Sequence, residues 1–141
     1  MFRGCNVINL DSKGRMAIPT CYRNGLLEKC QGKVVLTTHY SDPCLLLYPL
    51  PDWDVLQARI QSLSNSNNNM KKLERKLVGH ASDLEMDAQG RILIPPLLRE
   101  RAGLDKKVAL VGQSEKFELW SEERWDAVSL EEPEELPDFR I

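Results

Sequence analysis

The sequence predicts an α+β fold made of two copies of one ββαββ unit, each copy followed by a helix. Three observations carry this. A ten-residue segment, Leu10-Asp11-Ser12-Lys13-Gly14-Arg15-Met16-Ala17-Ile18-Pro19, returns seventy-six residues later as Met86-Asp87-Ala88-Gln89-Gly90-Arg91-Ile92-Leu93-Ile94-Pro95. Asp, Gly, Arg, Ile and Pro keep their places, and an apolar residue precedes each Asp. Apolar alternation flanks a tight polar centre in both copies, which is a hairpin signal. Finally, the 141 residues, 42% of them hydrophobic, suit one domain or two small units sharing a core. Each copy alone has roughly 55–60 residues, a size that is marginal in isolation, so the copies are expected to pack on each other.

Taken in order, Cys5 to Leu10 is expected as a strand and Arg15 to Ile18 as its hairpin partner. Pro19 stands at a helix start, where its missing N–H costs little, and Thr20 to about Lys29 follows as a short helix weakened by Gly25. Lys33 to Thr38 is β-branched and apolar, hence a strand. Tyr40-Ser41-Asp42-Pro43 is a turn, and Cys44 to Tyr48 a short apolar strand. Pro49, Pro51 and Asp52 announce a helix whose apolar stripe is Trp53, Leu56, Ile60 and Leu63. Ser64 to Asn69 is a polar joint. A basic helix from Met70 to about Val78 follows, with Met70, Leu73 and Leu77 available to pack inward. Gly79 opens the second copy, in which Ser82 to Met86 and Arg91 to Ile94 form the hairpin. Pro95 to about Ala102 is the short helix, ended by Gly103. Arg23 and Arg99 occupy matching helix positions. Lys107 to Val111 and Lys116 to Trp120 are strands, and Ser121 is a helix N-cap. Trp125 matches Trp53, and both read as core anchors. The expected organisation is a first unit over 1–63, a connecting turn and helix over 64–78, a second unit over 79–130, and an acidic, Pro-rich, poorly ordered tail over 131–141.

Turn chemistry accounts for part of the repeated segment. Asp11 suits the first position of a type I turn, because its carboxylate accepts nearby backbone N–H groups. Gly14 stands where a three-residue loop needs a left-handed residue, and a Cβ there would cost roughly 1–2 kcal/mol. Asp87 and Gly90 repeat the arrangement. The turn does not need Arg15 or Arg91. Each Arg lies four residues after its Asp, so one reading is an ion pair across the hairpin mouth. The other is that the turn presents Lys13 and Arg15 to an anion. The residues alone leave both open.

Composition narrows the function classes. Residues 1–110 hold 16 Lys and Arg against 11 Asp and Glu, whereas residues 111–141 hold 3 against 10. A basic body with an acidic end is compatible with polyanion binding by the body. No apolar run approaches the ~18 residues of a membrane span, and Met1 to Asn6 lacks the apolar core of a signal peptide. Cys5, Cys21, Cys30 and Cys44 contain no C-x-x-C. Reduced, buried thiols are expected, with no metal site built from them and His39 or His80. An enzyme reading based on Asp11 and Asp87 fails on chemistry. A neighbouring Arg lowers a carboxylate pKa by roughly 1–3 units, the wrong direction for a general base near neutrality. No nucleophile triad, P-loop or dinucleotide loop is present, so no catalytic residue, cofactor or small-molecule substrate is expected.

With the residues laid out, the chain resembles the MraZ family of bacterial proteins, built from two tandem SpoVT/AbrB-type units. The similarity runs from Met1 to about Leu130 and rests on the doubled Asp-x-x-x-Arg motif, Asp11 with Arg15 and Asp87 with Arg91. Cys44-Leu45-Leu46-Leu47-Tyr48-Pro49 before Trp53, Gly79-His80-Ala81, and Lys116-Phe117-Glu118-Leu119-Trp120 also resemble the family. The resemblance implies an intertwined swapped-hairpin barrel in which both halves come from one chain, forming a pseudo-dimer, and assembly into ring homo-oligomers. It further implies a cytoplasmic, nucleoid-associated regulator of transcription, commonly a repressor. Such a protein binds G-containing direct repeats in double-stranded DNA upstream of its own gene, at the head of the division and cell-wall gene cluster. Carried over to this sequence, the motif residues Arg15 and Arg91 face DNA, with Lys13, Gln89 and Arg3 beside them. Asp11, Gly14, Asp87 and Gly90 support the turns. Gln89 departs from the first copy's Lys13, so the halves are expected to contribute unequally. A rival from another class is an AbrB-type assembly scaffold that uses the acidic tail to dock a protein.

Overall fold

The computed structural model describes residues 1–140, and its elements follow the repeat. The first copy runs β1 (Phe2–Asn9), β2 (Arg15–Ala17), α1 (Thr20–Cys30), β3 (Lys33–Thr38), β4 (Leu45–Pro49) and α2 (Leu50–Ser64). After α3 (Asn68–Leu77) come β5 (Ser82–Glu85), β6 (Arg91–Leu93), α4 (Pro96–Arg101), β7 (Lys107–Ser114), β8 (Lys116–Ser121) and α5 (Glu122–Val128). Pro19, Pro49 and Pro95 each stand immediately before a helix, where a residue without an N–H loses no helical hydrogen bond.

The strand pairing corrects the expected hairpins. β1 does not ladder with β2, nor β5 with β6. Instead β1 pairs antiparallel with β7 from Phe2↔Ser114 to Asn9↔Lys107, and β5 pairs with β3 from Lys33↔Glu85 to Leu36↔Ser82. β2 and β6 pair with each other. The first strand of each copy is thus bound to the other copy's sheet strands. The physical reason is extent. An eight-residue ladder with β7 satisfies far more of β1's backbone than a three-residue β2 could. The pairing also lets β2 and β6 turn one side each into the core. Gly112 permits the close approach, since a Cβ there would fall on the backbone of Arg3.

Among the described residues the strands form an open sheet in the order β1-β7-β8-β4-β3-β5 and a separate β2–β6 ribbon; the closed barrel expected from the resemblance is not formed. Strand alternation sends side chains to opposite faces. On one face Val34, Leu36, Leu45, Leu47, Val108, Leu110, Phe117 and Leu119 meet Met16, Ile18, Ile92 and Ile94 of the ribbon segments, with Leu26 of α1 and Leu98 of α4. On the other face Val35, Leu46 and Tyr48 pack against Trp53 and Ile60 of α2 and Leu77 of α3. Ala109, Val111 and Trp120 are covered there by Trp125 and Val128 of α5. The ribbon and the α2–α3 pair therefore lie on opposite sides of the sheet.

The expected joint is partly helical. Asn67 caps α3, its side chain accepting from the N–H groups of Asn69 and Met70 and so satisfying two of the helix's unpaired donors. The last carbonyls of α3 are closed by Thr37, whose hydroxyl donates to the Leu77 carbonyl at 2.5 Å, and by Thr38, which donates to that of Lys76 at 2.9 Å. Three burial expectations are corrected. Leu63 is half exposed rather than part of the α2 stripe. Cys5 and Cys21 are exposed, and only Cys30 and Cys44 are buried. Trp125 is half-buried, whereas Trp53 is fully enclosed.

Candidate nucleic-acid interface

The repeated segments build two nearly identical turns. In the first, the Gly14 N–H donates to the Asp11 carbonyl at 3.0 Å and the Asp11 N–H to the Arg15 carbonyl at 3.0 Å. The second repeats this with Gly90, Asp87 and Arg91 at 2.9 and 2.8 Å. Gly14 and Gly90 have φ of +84° and +74°, the left-handed backbone that a Cβ disfavours. Each Asp organises its loop. One carboxylate oxygen of Asp11 accepts the N–H groups of Lys13 and Arg15, both at 2.9 Å, while the other accepts Arg15 Nε at 2.6 Å. Asp87 does the same with Gln89 and the Arg91 backbone, and takes Arg91 Nε at 2.9 Å.

These contacts fix the ionisation of both carboxylates. The Arg15 backbone N–H above all, helped by the Arg15 side chain and the Lys13 N–H, holds Asp11 down at about 2. Asp87 is lowered in the same way, led by the Arg91 backbone N–H. A hydrogen bond to the charged form favours that form.

The ion pair across the hairpin mouth is formed in both copies, and it uses only part of each guanidinium. Nε is spent on Asp, and among the described residues neither terminal amino group of Arg15 or Arg91 has a hydrogen-bond partner. In the ribbon, Arg15 stands opposite Leu93, Met16 opposite Ile92 and Ala17 opposite Arg91. Met16 and Ile92 are buried in the core. Alternation then places Arg15, Ala17, Arg91 and Leu93 together on the outward side. Arg15 and Arg91 are diagonal neighbours, a relation that sets them roughly 7–8 Å apart. The ladder continues past the strands: the Ile18 N–H donates to the Gly90 carbonyl at 2.8 Å, and the Ile94 N–H to that of Gly14 at 3.1 Å. Each turn is thereby pinned to the end of the other copy's segment, and the turns bracket the ribbon at opposite ends. Exposed Lys13 marks one end and exposed Gln89 the other. Arg3 is not brought into this group. It is exposed near the start of β1, the end away from the Asp11 turn.

Sequence reasoning missed a second pair of arginines. The Arg99 guanidinium of α4 lies against Gly14, and the Arg23 guanidinium of α1 lies against Gly90, so a Cβ on either Gly would fall on it. Each helix thus reaches across to the other copy's turn. Arg23 Nε donates to the Ile18 carbonyl at 2.6 Å, whereas Arg99 Nε is buried with no partner. The matching positions of Arg23 and Arg99 were the available signal. Leu93, half exposed between the motif arginines, was also missed; its alternation with Ile92 was the clue.

Among the described residues no cluster of His, Cys, Asp and Glu is placed to hold a metal ion, and no helix is long and apolar enough to cross a membrane.

Comparison with known proteins agrees with the doubled turn. The family model described as "MraZ protein, putative antitoxin-like" matches residues 1–76 and again 77–138. A transcriptional regulator MraZ of Pseudomonas aeruginosa (strain UCBPP-PA14) is 46% identical over 144 aligned positions, covering 98% of this chain and 95% of its own. The proteins of the same name from Klebsiella pneumoniae subsp. pneumoniae and Escherichia coli O127:H6 are 54% and 52% identical, each covering 89% of this chain and 82% of its own. The repeated Asp-x-x-x-Arg turns, the match of the family model to both halves and the near-full-length identity together show that the chain belongs to the MraZ family of transcriptional regulators.

Proposed function

We propose that the chain regulates transcription by gripping double-stranded DNA with the outward side of the β2–β6 ribbon. One observation carries the reading: the antiparallel register sets Arg15 and Arg91 on one side, each held by its own Asp with its terminal amino groups unspent. A planar guanidinium engages phosphate, or the O6 and N7 edge of guanine, through paired donors. A two-stranded ribbon is narrow enough to enter the major groove. Lys13 adds a phosphate contact at one end, and Gln89 a neutral donor and acceptor at the other. The reciprocal pairing of β1 with β7 and β5 with β3 supports an interlocked, swapped-hairpin pseudo-dimer made of units 1–63 and 79–130. One ribbon offers few contacts, so ring assembly over repeated sites supplies affinity through effective concentration. The site is then an operator upstream of the chain's own gene, the outcome repression, and the setting the cytoplasm and nucleoid. A binding role rather than a catalytic one fits two carboxylates that stay ionised and hydrogen-bonded. The test is a gel shift with DNA from upstream of the chain's own gene against a shuffled duplex, using the parent chain and Arg15→Ala. The reading expects a repeat-dependent shift that Arg15→Ala weakens; equal binding of both duplexes, or an unaffected variant, overturns it.

A further inference from the structure

Beside the first turn the surface opens into a cleft of about 520 Å³, lined by Leu10, Ser12, Arg99, Lys106 and Lys107 among others. Three cations converge here, Arg99 from α4, Lys106 from the loop before β7 and Lys107 from the first position of β7. The pairing Asn9↔Lys107 and the hydrogen bond from the Leu10 N–H to the Lys106 carbonyl at 2.7 Å hold that loop against the turn. Among the described residues none of the three cations is in an ion pair. Two carboxylates share the cleft. Asp11 is committed to its own turn and to Arg15, and exposed Asp105 is the remaining opposing charge. The buried Arg99 Nε has a donor and no acceptor. Nε itself is sealed against the Gly14 turn; among the described residues neither terminal amino group of Arg99 has a hydrogen-bond partner, so that edge of the guanidinium is what the cleft can offer an acceptor. The second turn lacks this arrangement. Arg23 has already used its Nε on Ile18, and the strand entry that flanks the turn supplies Lys33 opposite Glu85.

We propose that this cleft is a seat for a DNA backbone phosphate, held by Arg99, Lys106 and Lys107, at one end of the ribbon only. It rests on the reading of the ribbon as the DNA-binding side and deepens it. A phosphate seated at the Lys13 end, with none at the Gln89 end, gives each chain a polarity on the duplex. Identical chains so oriented fit direct repeats rather than a palindrome. The cleft engages the backbone, so it strengthens binding to any sequence.

The test uses the full chain and fluorescence anisotropy with two labelled duplexes, one from upstream of the chain's own gene and one shuffled, across a salt series. Lys106→Gln/Lys107→Gln is compared with Lys71→Gln/Lys72→Gln, an equal charge change on α3 at the other side of the sheet. The cleft variant should weaken both duplexes by a similar factor and flatten the log K against log salt slope by about 0.9 for each phosphate it no longer neutralises. The α3 variant should leave the slope unchanged. Arg99→Lys, which keeps charge but not the planar fork, should weaken both duplexes without lowering Tm. An unchanged slope in the cleft variant, or equal flattening by the α3 variant, overturns the seat. Arg15→Ala runs alongside. If it too leaves binding unchanged, the ribbon reading itself has failed; if it alone weakens binding, only the seat has.

Discussion

The two turns share a frame and differ in what they carry. Asp11 and Asp87 make the same set of hydrogen bonds, Gly14 and Gly90 share a left-handed backbone, and Arg15 and Arg91 spend Nε alike. Around that frame the chemistry has diverged. Lys13 faces Gln89 across the ribbon's length, Ala17 corresponds to Leu93, and Arg99 is unpartnered where Arg23 is satisfied. The retained part is what the backbone needs in order to turn and to hold a guanidinium outward. The altered part is the set of side chains that surround that frame, at the turn tips, on the ribbon's outward side and on the helices that reach across. A tandem chain is free to make this distinction, whereas a dimer of identical chains is not.

The largest effect on this comparison should come from the seam that both turns share. Met16→Ala and Ile92→Ala each remove a fully buried side chain from the ribbon's inner side. Each is expected to cost about 2–5 kcal/mol, as large-to-small core changes do, and to a similar extent. Denaturant midpoints measure this; a small effect in one of them would show that the ribbon is not a common core. Next come the turn glycines. Gly14→Ala and Gly90→Ala should each destabilise by about 1–2 kcal/mol, because an L side chain is strained at these φ values, and each must also push aside an arginine of the other copy. Thermal melting tests it, and unaltered melting would remove the claim that the left-handed backbone is required.

A subtler handle is acid. Asp11 keeps its charge in the native state down to about 2, below its ordinary 3.8. Its contribution is therefore fully present above the unfolded value and is lost as pH falls from about 4 toward 2. Asp11→Ala should melt lower than the parent at neutral pH, with the gap closing on acidification through that window. A gap that persists at low pH would assign the destabilisation to something other than the carboxylate. The smallest expected change is Gln89→Lys, which makes the second turn copy the first. It should steepen the salt dependence of DNA binding by about 0.9 of a slope unit if a phosphate is within reach, and leave stability unchanged.

How much of this was legible in the sequence depends on how local the cause is. β3 was readable to its ends, Lys33–Thr38, because a β-branched run needs no distant partner to be a strand. The turns were readable because Asp and Gly act on their own backbone. Partner choice was not readable. The run from Cys5 to Leu10 looks the same whether it ladders with Arg15 to Ile18 or with a strand one hundred residues away, and only the whole sheet decides. Exposure failed for the same reason: Leu63, Cys5 and Cys21 lie on elements whose covering neighbours come from elsewhere in the chain. Of the candidate site, the motif arginines were visible as a repeat, but their common side follows from the β2–β6 register. Likewise the matching positions of Arg99 and Arg23 are plain in the sequence, but their reach across the copies follows from the fold.

Two guanidiniums on one side of the ribbon are proposed to grip DNA while contributing little to the fold. The most direct measurement is the affinity of Arg15→Ala/Arg91→Ala for the upstream duplex, read together with its melting temperature. Nε of each Arg engages a carboxylate that is itself well exposed, a kind of pair that contributes little to stability in water, so melting should shift by a few degrees at most. Specific binding should fall by at least tenfold. Undiminished affinity in a folded double variant would contradict the account.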